Sequence, residues 1–357
     1  MFFHFLLRSF RIFLFPLAII YWLAISLRNF LFDKKILRTA EFGLPLICVG
    51  NLAVGGTGKS PMVEYLLELL LGRYKVATLS RGYKRRTKGY VLANATTTAL
   101  EIGDEPMIFH QKFPNVPVAV GEQRIEAIPQ LLHDRSETEV IVLDDAFQHR
   151  SIKAGLNILL TDYSNLFTRD FYLPTGDLRD QRSRYKQAQV IVVTKCPSNL
   201  SIEERKQILN EIGPVNGQQV FFASIAYGQP YHFVYKTAKL MDPQEEILLV
   251  TGISNPKPLK QFIEENSKSY QLLQYPDHHI FNYDDWKDIQ QSFSKLDPHN
   301  SRIVTTEKDM VRLEKFSGEM KNMPIYVIPV KHEFLFGQQE QFNKTVLDYL
   351  RNFERLN

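Results

Sequence analysis

The sequence predicts an α/β architecture in two parts behind an apolar N-terminal helix, and three observations carry that prediction. Short apolar runs alternate with helical or polar stretches from Leu46 to Val193. Strands that read as unbroken apolar runs belong in a parallel sheet covered on both faces. A second series of the same kind starts at Ile247-Leu248-Leu249-Val250. Between the two, Tyr227 to Met241 reads differently: His232-Phe233-Val234-Tyr235, a polar turn, then Ala238-Lys239-Leu240-Met241. That pattern predicts a small hairpin linker. With 357 residues, 44% of them hydrophobic, the chain can bury a real core and favours two domains over one.

The first element is the N-terminal helix. Ile12 to Leu27 carries no charge, yet it is shorter than the stretch of about 20 apolar residues that spans a bilayer. At about 100° per residue, His4, Arg8 and Arg11 fall on one side, while Phe2, Phe3, Phe5, Leu6 and Leu7 occupy much of the rest. A basic stripe of this kind suits anionic headgroups. Arg28, Lys34, Lys35 and Arg38 follow the run, so positive charge flanks both ends and sets no orientation. The pattern favours insertion into one leaflet over spanning. A buried core helix is the competing reading, since the length permits it.

The next element is the most informative. Leu46-Ile47-Cys48-Val49 reads as a strand that runs into Gly50-Asn51-Leu52-Ala53-Val54-Gly55-Gly56-Thr57-Gly58-Lys59-Ser60, followed by a helix rich in Leu and Glu. Strand, glycine-rich loop and helix in this order make a phosphate-binding P-loop. Glycines let successive N–H groups face phosphate oxygens, and the helix N-terminus adds a favourable dipole. Gly55, Gly56, Thr57, Gly58, Lys59 and Ser60 are therefore the candidate nucleotide-binding residues, with Lys59 on the β- and γ-phosphates and Ser60 on Mg²⁺. Ala53 stands where the strict motif has its first glycine. A cleaved signal peptide, suggested by Ala24-Ile25-Ser26, is disfavoured because export would part this loop from ATP.

The later strands Val76–Leu79, Val116–Val120, Val140–Leu143, Asn157–Leu160 and Val190–Val193 complete the first sheet, and two of them end in chemistry. The first leads into the basic loop Ser80-Arg81-Gly82-Tyr83-Lys84-Arg85-Arg86, at the sheet edge where open α/β sheets bind ligands. Val140–Leu143 ends in Asp144-Asp145, the expected Mg²⁺-holding carboxylates, and Gln148-His149 follow at once. Arg124, Arg179, Arg182 and Arg184 are further candidate anion clamps. Thr194-Lys195 after the last strand is too short a match to assign a nucleotide base. Strands at Arg302–Thr305 and Ile325–Ile328 extend the second series.

Composition excludes other classes. A net charge of +4, from 43 basic and 39 acidic residues, is too mild for a nucleic-acid-binding face. Cys48 and Cys196 lie far apart and offer neither a disulfide framework nor metal-ligand spacing. No repeat of fixed period and no low-complexity tract occurs.

Taken together, Val49-Gly50-Asn51-Leu52 with Gly55 to Pro61, Ser80-Arg81-Gly82-Tyr83, Gly103-Asp104-Glu105-Pro106, Asp144-Asp145 with Gln148-His149, Asp277-His278, and Thr306-Glu307-Lys308-Asp309 resemble the tetraacyldisaccharide 4′-kinase family. The resemblance runs from the N-terminal helix to about residue 330. It implies a P-loop NTPase-type parallel-sheet domain over residues 35–226, a β-hairpin linker over 227–244, a smaller α/β domain over 245–357, and a membrane-associated helix over 1–34. It implies transfer of the ATP γ-phosphate, with Mg²⁺, to the 4′-hydroxyl of a lipid A disaccharide 1-phosphate at the cytoplasmic face of the bacterial inner membrane. Partners beyond that lipid and the membrane surface are not implied: neither nucleic acid nor an obligate protein. The family supplies Asp104 and His278 as candidate catalytic residues beside Lys59, while Arg81, Tyr83, Arg124, Gln148, His149 and Arg179 are the candidate substrate-binding residues. Asp180 departs from the Leu-Arg-Glu element of the family, leaving its role open.

Two other classes share parts of this pattern. A P-loop GTPase or metallochaperone-like NTPase would use the same loop, but only Thr194-Lys195-Cys196-Pro197 stands where a guanine-reading motif belongs. A membrane-tethered nucleotide-binding adaptor would not need the acidic and histidine motifs beside the loop.

Overall fold

The computed structural model describes residues 11–353. The amphipathic pattern of residues 2–8 lies outside them. Fourteen strands are described: β1 (Leu46–Asn51), β2 (Val76–Ser80), β3 (Val91–Leu92), β4 (Val118–Val120), β5 (Val140–Asp144), β6 (Leu156–Asp162), β7 (Val190–Thr194), β8 (Gln219–Tyr227), β9 (Tyr231–His232), β10 (Glu246–Thr251), β11 (Ser269–Gln274), β12 (Ser301–Thr306), β13 (Ile325–Ile328) and β14 (Val330–Phe334). They form a nine-stranded sheet in the order β14-β8-β7-β6-β1-β5-β2-β4-β3 and a five-stranded sheet in the order β11-β10-β12-β13-β9.

In the large sheet β1 is flanked by β5 and β6, both parallel to it. The strand order reverses there, and such a switch point opens a crevice beyond the strand carboxyl ends. Register decides what enters the crevice. Val49 pairs with Asp144 and Asp162 with Thr194, so the ends of β1, β5, β6 and β7 meet at one edge. The central strands are largely apolar because both faces are covered. On one face Met62, Val63, Leu66 and Leu67 of helix Lys59–Leu70 pack with Phe342 and Val346 of helix Gln339–Arg351. On the other, Ile128 and Leu131 of helix Arg124–Asp134 join Ile208 and Ile212 of helix Ile202–Ile212.

The smaller sheet has the same layering, with Leu259 and Ile263 on one face and Trp286, Ile289 and Met310 on the other. Its β9 pairs antiparallel with β13, and Tyr231 also bridges to Ala238 within the expected linker.

The C-terminal boundary differs from the expectation of one domain over 245–357. After Ile328 the chain returns to the large sheet: β14 pairs antiparallel with β8, and helix Gln339–Arg351 completes the first core. The physical reason is edge protection. An open β8 edge would leave a row of unpaired backbone groups, and β14 covers it with its alternate side chains buried. The lobes are therefore joined by two crossings side by side, where Gly228 N donates to Pro329 O at 2.9 Å. A side chain at Gly228 would meet Pro329 Cγ at 2.8 Å.

A 3₁₀ turn, Ile12–Leu14, leads into helix Phe15–Asp33. By length and composition this stretch could cross a membrane, and only 17% of its most apolar window is buried. That excludes the core-helix reading. Tyr21, Ser26 and Asn29 anchor one side, through Arg179 O, Gln181 and Asp180 respectively. Ile12, Phe13, Leu17, Ile20, Leu23 and Leu27 stand exposed.

Candidate active site

The phosphate loop is held from three directions. Val54 N donates to Asp177 O at 2.8 Å, Thr194 Oγ1 to Thr57 O at 2.9 Å, and His332 Nε2 to Gly58 O at 2.8 Å. Gly58 has φ +82°, and a Cβ there would sit 2.8 Å from the His332 ring, so only glycine fits. Burial keeps His332 neutral, its pKa pushed down to about 4. Among the described residues no hydrogen bond claims the N–H groups of Gly58, Lys59 and Ser60. They open the helix Lys59–Leu70, where free N–H groups and the helix dipole attract phosphate. His332 and Thr194 carried no sequence signal for this task, because a short polar run and a strand end look alike in any α/β chain.

Lys59 lies beside an amide and a carboxylate that the strand ends bring together. Its Nζ is 3.3 Å from Asn51 Oδ1 and 3.7 Å from Asp145 Oδ1. Burial lowers its pKa, against the pull of Asp145 and Asp144. The adjacent aspartates have different surroundings. Asp145, at φ +49°, is gripped by both Nη atoms of Arg179, one at 3.1 Å. Burial alone would raise its carboxyl, but Lys59 and Arg179 hold it below the usual range. Asp144 is buried, with Oδ2 3.4 Å from Ser80 Oγ and Oδ1 without a hydrogen bond among the described residues. Burial and Asp145 push its pKa up to about 6. A buried carboxylate oxygen with no partner beside a phosphate loop fits a hard cation, which takes one or two carboxylates and completes its shell with phosphate and water. Asp144 and Ser60 fit Mg²⁺ better than Asp145, whose oxygens are already committed to cations.

The second lobe closes the far side of the crevice. Asp104 opens helix Asp104–Lys112 of the first lobe, and His278 of the second lobe places Nδ1 3.0 Å from Asp104 Oδ2. The His278 backbone is left-handed at φ +61°, an uncommon conformation that tends to cluster at functional sites. Lys308 Nζ is 2.5 Å from Glu105 Oε1, and Arg312 Nη2 is 2.7 Å from Asp104 Oδ2. Deeper between the lobes, Lys112 pairs with Glu64 and, at 2.7 Å, with Glu307.

The candidate substrate-binding residues separate into two groups. Arg81 and Tyr83 are exposed on the loop after β2, with the Tyr83 ring 5.8 Å from that of His278. Gln148 donates to Asn51 O, while its own carbonyl accepts from Arg28 at 3.0 Å. His149 is half-buried, and burial with Arg124 and Arg81 pushes its pKa down to about 4. Arg124 is different. It is fully buried and donates to Gly121 O at 2.6 Å and Asp144 O at 3.2 Å, so it braces the end of β5 and presents no open anion clamp. Arg182 and Arg184 are also committed, to Asp170 O and to Asp180 with Phe147 O. Asp180 is buried and accepts from Asn29 at 2.9 Å, which ties it to the apolar helix.

Comparison with known proteins agrees with this geometry. The family model for tetraacyldisaccharide-1-P 4'-kinase (LpxK) matches residues 10–351. A tetraacyldisaccharide 4'-kinase of Flavobacterium johnsoniae is 45% identical over 339 residues, 95% of this chain and 96% of that protein. The protein of the same name from Bacteroides thetaiotaomicron is 43% identical over 358 residues, 96% and 94% of the two chains. A crystal structure of LpxK from Aquifex aeolicus in complex with ATP superposes with a TM-score of 0.73 at 26% identity, covering 96% of this chain and 99% of that one. Fold, loop and relatives agree over nearly the whole length, and the chain belongs to the tetraacyldisaccharide-1-P 4'-kinase family of ATP-dependent kinases.

Proposed function

We propose that the chain carries out its family's reaction, transfer of the γ-phosphate of ATP to the 4′-hydroxyl of tetraacyldisaccharide 1-phosphate, with the residues gathered at the crevice. The free N–H groups of the loop and Lys59 bind the β- and γ-phosphates. Ser60 and Asp144 would hold Mg²⁺, which neutralises charge on the phosphates. Arg179, gripping Asp145 beside Lys59, adds positive potential at the same end of the sheet.

The observation that carries the reading is the contact of Asp104 with His278 across the lobes. A sugar hydroxyl is a weak nucleophile, and a carboxylate that accepts its proton as phosphorus–oxygen bond formation proceeds is worth roughly 10²–10⁴ in rate. Asp104 is that acceptor, and His278 orients it. The new phosphate monoester and ADP leave, and the proton passes from Asp104 to solvent. Arg81, Tyr83, Gln148 and His149 lie on loops beside this pair and the phosphate loop, where they meet the disaccharide.

The exposed apolar side of Ile12–Asp33 seats the protein in one leaflet, at the cytoplasmic face of the inner membrane where ATP is available. Its anchoring contacts reach Arg179 and Asp180, so the lipid-facing helix adjoins the phosphate site. Residues 35–226, 227–244 and the segment from 245 remain the functional division we propose, with 330–353 completing the first sheet.

The test compares Asp104→Ala, His278→Ala and the double variant for turnover at saturating ATP and lipid. Residues acting as a unit lose about as much singly as together. Additive losses, or one variant with normal turnover, reject the pairing.

A further inference from the structure

Arg312 is the residue around Asp104 that the proposed reaction leaves without a task. It lies on helix Glu307–Leu313, with a side chain only 5% exposed. Its Nε and Nη2 both reach Asp104 Oδ2, at 3.0 and 2.7 Å. The guanidinium is itself fixed from behind, by Asp309 Oδ1 at 3.2 Å and Gly252 O at 3.4 Å. Asp309 is fully buried and held in turn by Thr251 and Thr306, at 3.1 and 2.7 Å. Two N–H groups on one carboxylate oxygen, backed by a buried anion, form a preorganised fork rather than a surface pair.

The consequence for Asp104 is geometric. Oδ2 accepts from Arg312 twice and lies against His278, while no hydrogen bond reaches Oδ1 among the described residues. One oxygen is occupied and the other is left to the acceptor hydroxyl.

Electrostatics gives the fork a second effect. Asp104 is largely buried and shares its surroundings with the carboxylates of Glu105 and Asp277, and ATP would bring more negative charge. Each of these favours the protonated carboxyl, which cannot act as a base. Lys308 is paired with Glu105, so it cancels that charge but does not reach Asp104. His278 and Arg312 are the groups that do. Burial raises the Asp104 carboxyl, yet their hydrogen bonds and the Arg312 charge outweigh it and hold the carboxyl below its ordinary range.

We propose that Arg312 is a positioning residue for the phosphoryl transfer: from the second lobe it fixes Asp104 Oδ2, leaves Oδ1 for the acceptor hydroxyl, and keeps the base ionised while the polyanionic nucleotide is bound. This rests on Asp104 being the base. Because the fork and its Asp309 backing belong to one lobe and Asp104 to the other, the base is complete only when the lobes meet.

The experiment records turnover against pH at saturating ATP, Mg²⁺ and disaccharide 1-phosphate for the full chain, Arg312→Met, Arg312→Lys and Asp104→Asn. In Arg312→Met the acid limb of the profile moves up by about 1 pH unit or more, and plateau turnover falls by roughly 10-fold or more as Asp104 loses its orientation. The KM for ATP stays within about two-fold, since the phosphate loop is untouched. Arg312→Lys returns the limb toward its original position without restoring the plateau, because one ammonium cannot reproduce the fork. An acid limb that does not move in Arg312→Met, with ATP affinity intact, overturns the proposal. Should Arg312→Met fail to fold, Asp309→Asn loosens the same guanidinium, and an unmoved limb there is equally decisive. Asp104→Asn separates the two readings: retained turnover removes Asp104 as the base, whereas an inactive Asp104→Asn beside an unmoved Arg312→Met limb removes only the role given to Arg312.

Discussion

At the scale of single residues, identity says less than surroundings. Asp144 and Asp145 are the same side chain one step apart, yet one is buried with an oxygen free and the other is neutralised by Lys59 and Arg179. Replacing Asp144 with Asn should raise the Mg²⁺ needed for half-maximal activity and lower turnover by about 10²-fold. Asp145→Asn should leave the Mg²⁺ requirement nearer normal and weaken ATP binding, as Arg179 and Lys59 lose their anchor. Equal Mg²⁺ titrations for both variants would argue against this division. His332 makes a separate prediction. Its pKa is pushed down by burial from 6.5 to about 4, so between those values the unfolded chain binds a proton that the folded chain refuses. Its share of stability is complete above pH 6.5 and is lost as pH falls toward 4, by at most about 3 kcal/mol. His332→Gln keeps a donor for Gly58 O without titrating, and denaturant unfolding at neutral and acid pH should show a flatter loss than the parent chain. Some slope will remain, because His149 is shifted in the same direction.

At the scale of elements, the apolar helix Phe15–Asp33 does two jobs on two sides. The side bearing Tyr21, Ser26 and Asn29 holds the segment Arg179–Gln181, and the other side offers Ile20, Leu23 and Leu27 outward. Substituting these three outward residues with Gln should abolish co-sedimentation with anionic vesicles. Because the positions are exposed, each change should cost no more than about 0.5 kcal/mol of stability. Deleting residues 1–32 is a harsher experiment. It should preserve ATP binding, but it strips Asn29 from the buried Asp180, an unmade hydrogen bond that costs about 1–3 kcal/mol. Vesicle binding undiminished in the triple variant would place the membrane contact on another surface.

At the scale of the whole molecule, the lobes are joined by the paired crossings at Gly228 and Pro329 and meet through charged contacts. Lys112 lies half-buried between Glu64 and Glu307, and Tyr231 Oη of the linker is 3.3 Å from Glu307 Oε1. Burial and Glu307 push the Glu64 carboxyl up, and Lys112 draws the two carboxylates together against their mutual repulsion. Lys112→Met removes the cation and leaves Glu307 buried and unpaired. The expected loss is about 3 kcal/mol in denaturant unfolding, largely reversed when Glu307→Gln is added. A single variant as stable as the parent would show that the lobes do not depend on this contact.

The sequence by itself determined the local pieces: the unbroken apolar strands, the glycine loop before Lys59 and Ser60, the acidic end of β5 and the uncharged run after Arg11. Each is a short-range pattern whose physics acts within a strand, a turn or a helix. Family resemblance added Asp104 and His278, which no local pattern could pair. Tertiary structure decided what depends on neighbours distant in the chain. It sent β14 back across the open edge of β8 and so brought His332 under Gly58. It buried Arg124 beneath Asp144, turning an apparent anion clamp into a brace. It also set Arg312, 208 positions from Asp104, on the same carboxylate oxygen as His278. Burial and charge pairing arise only when the two sheets and the N-terminal apolar helix are in place, and these are what assign roles to side chains that look interchangeable along the chain.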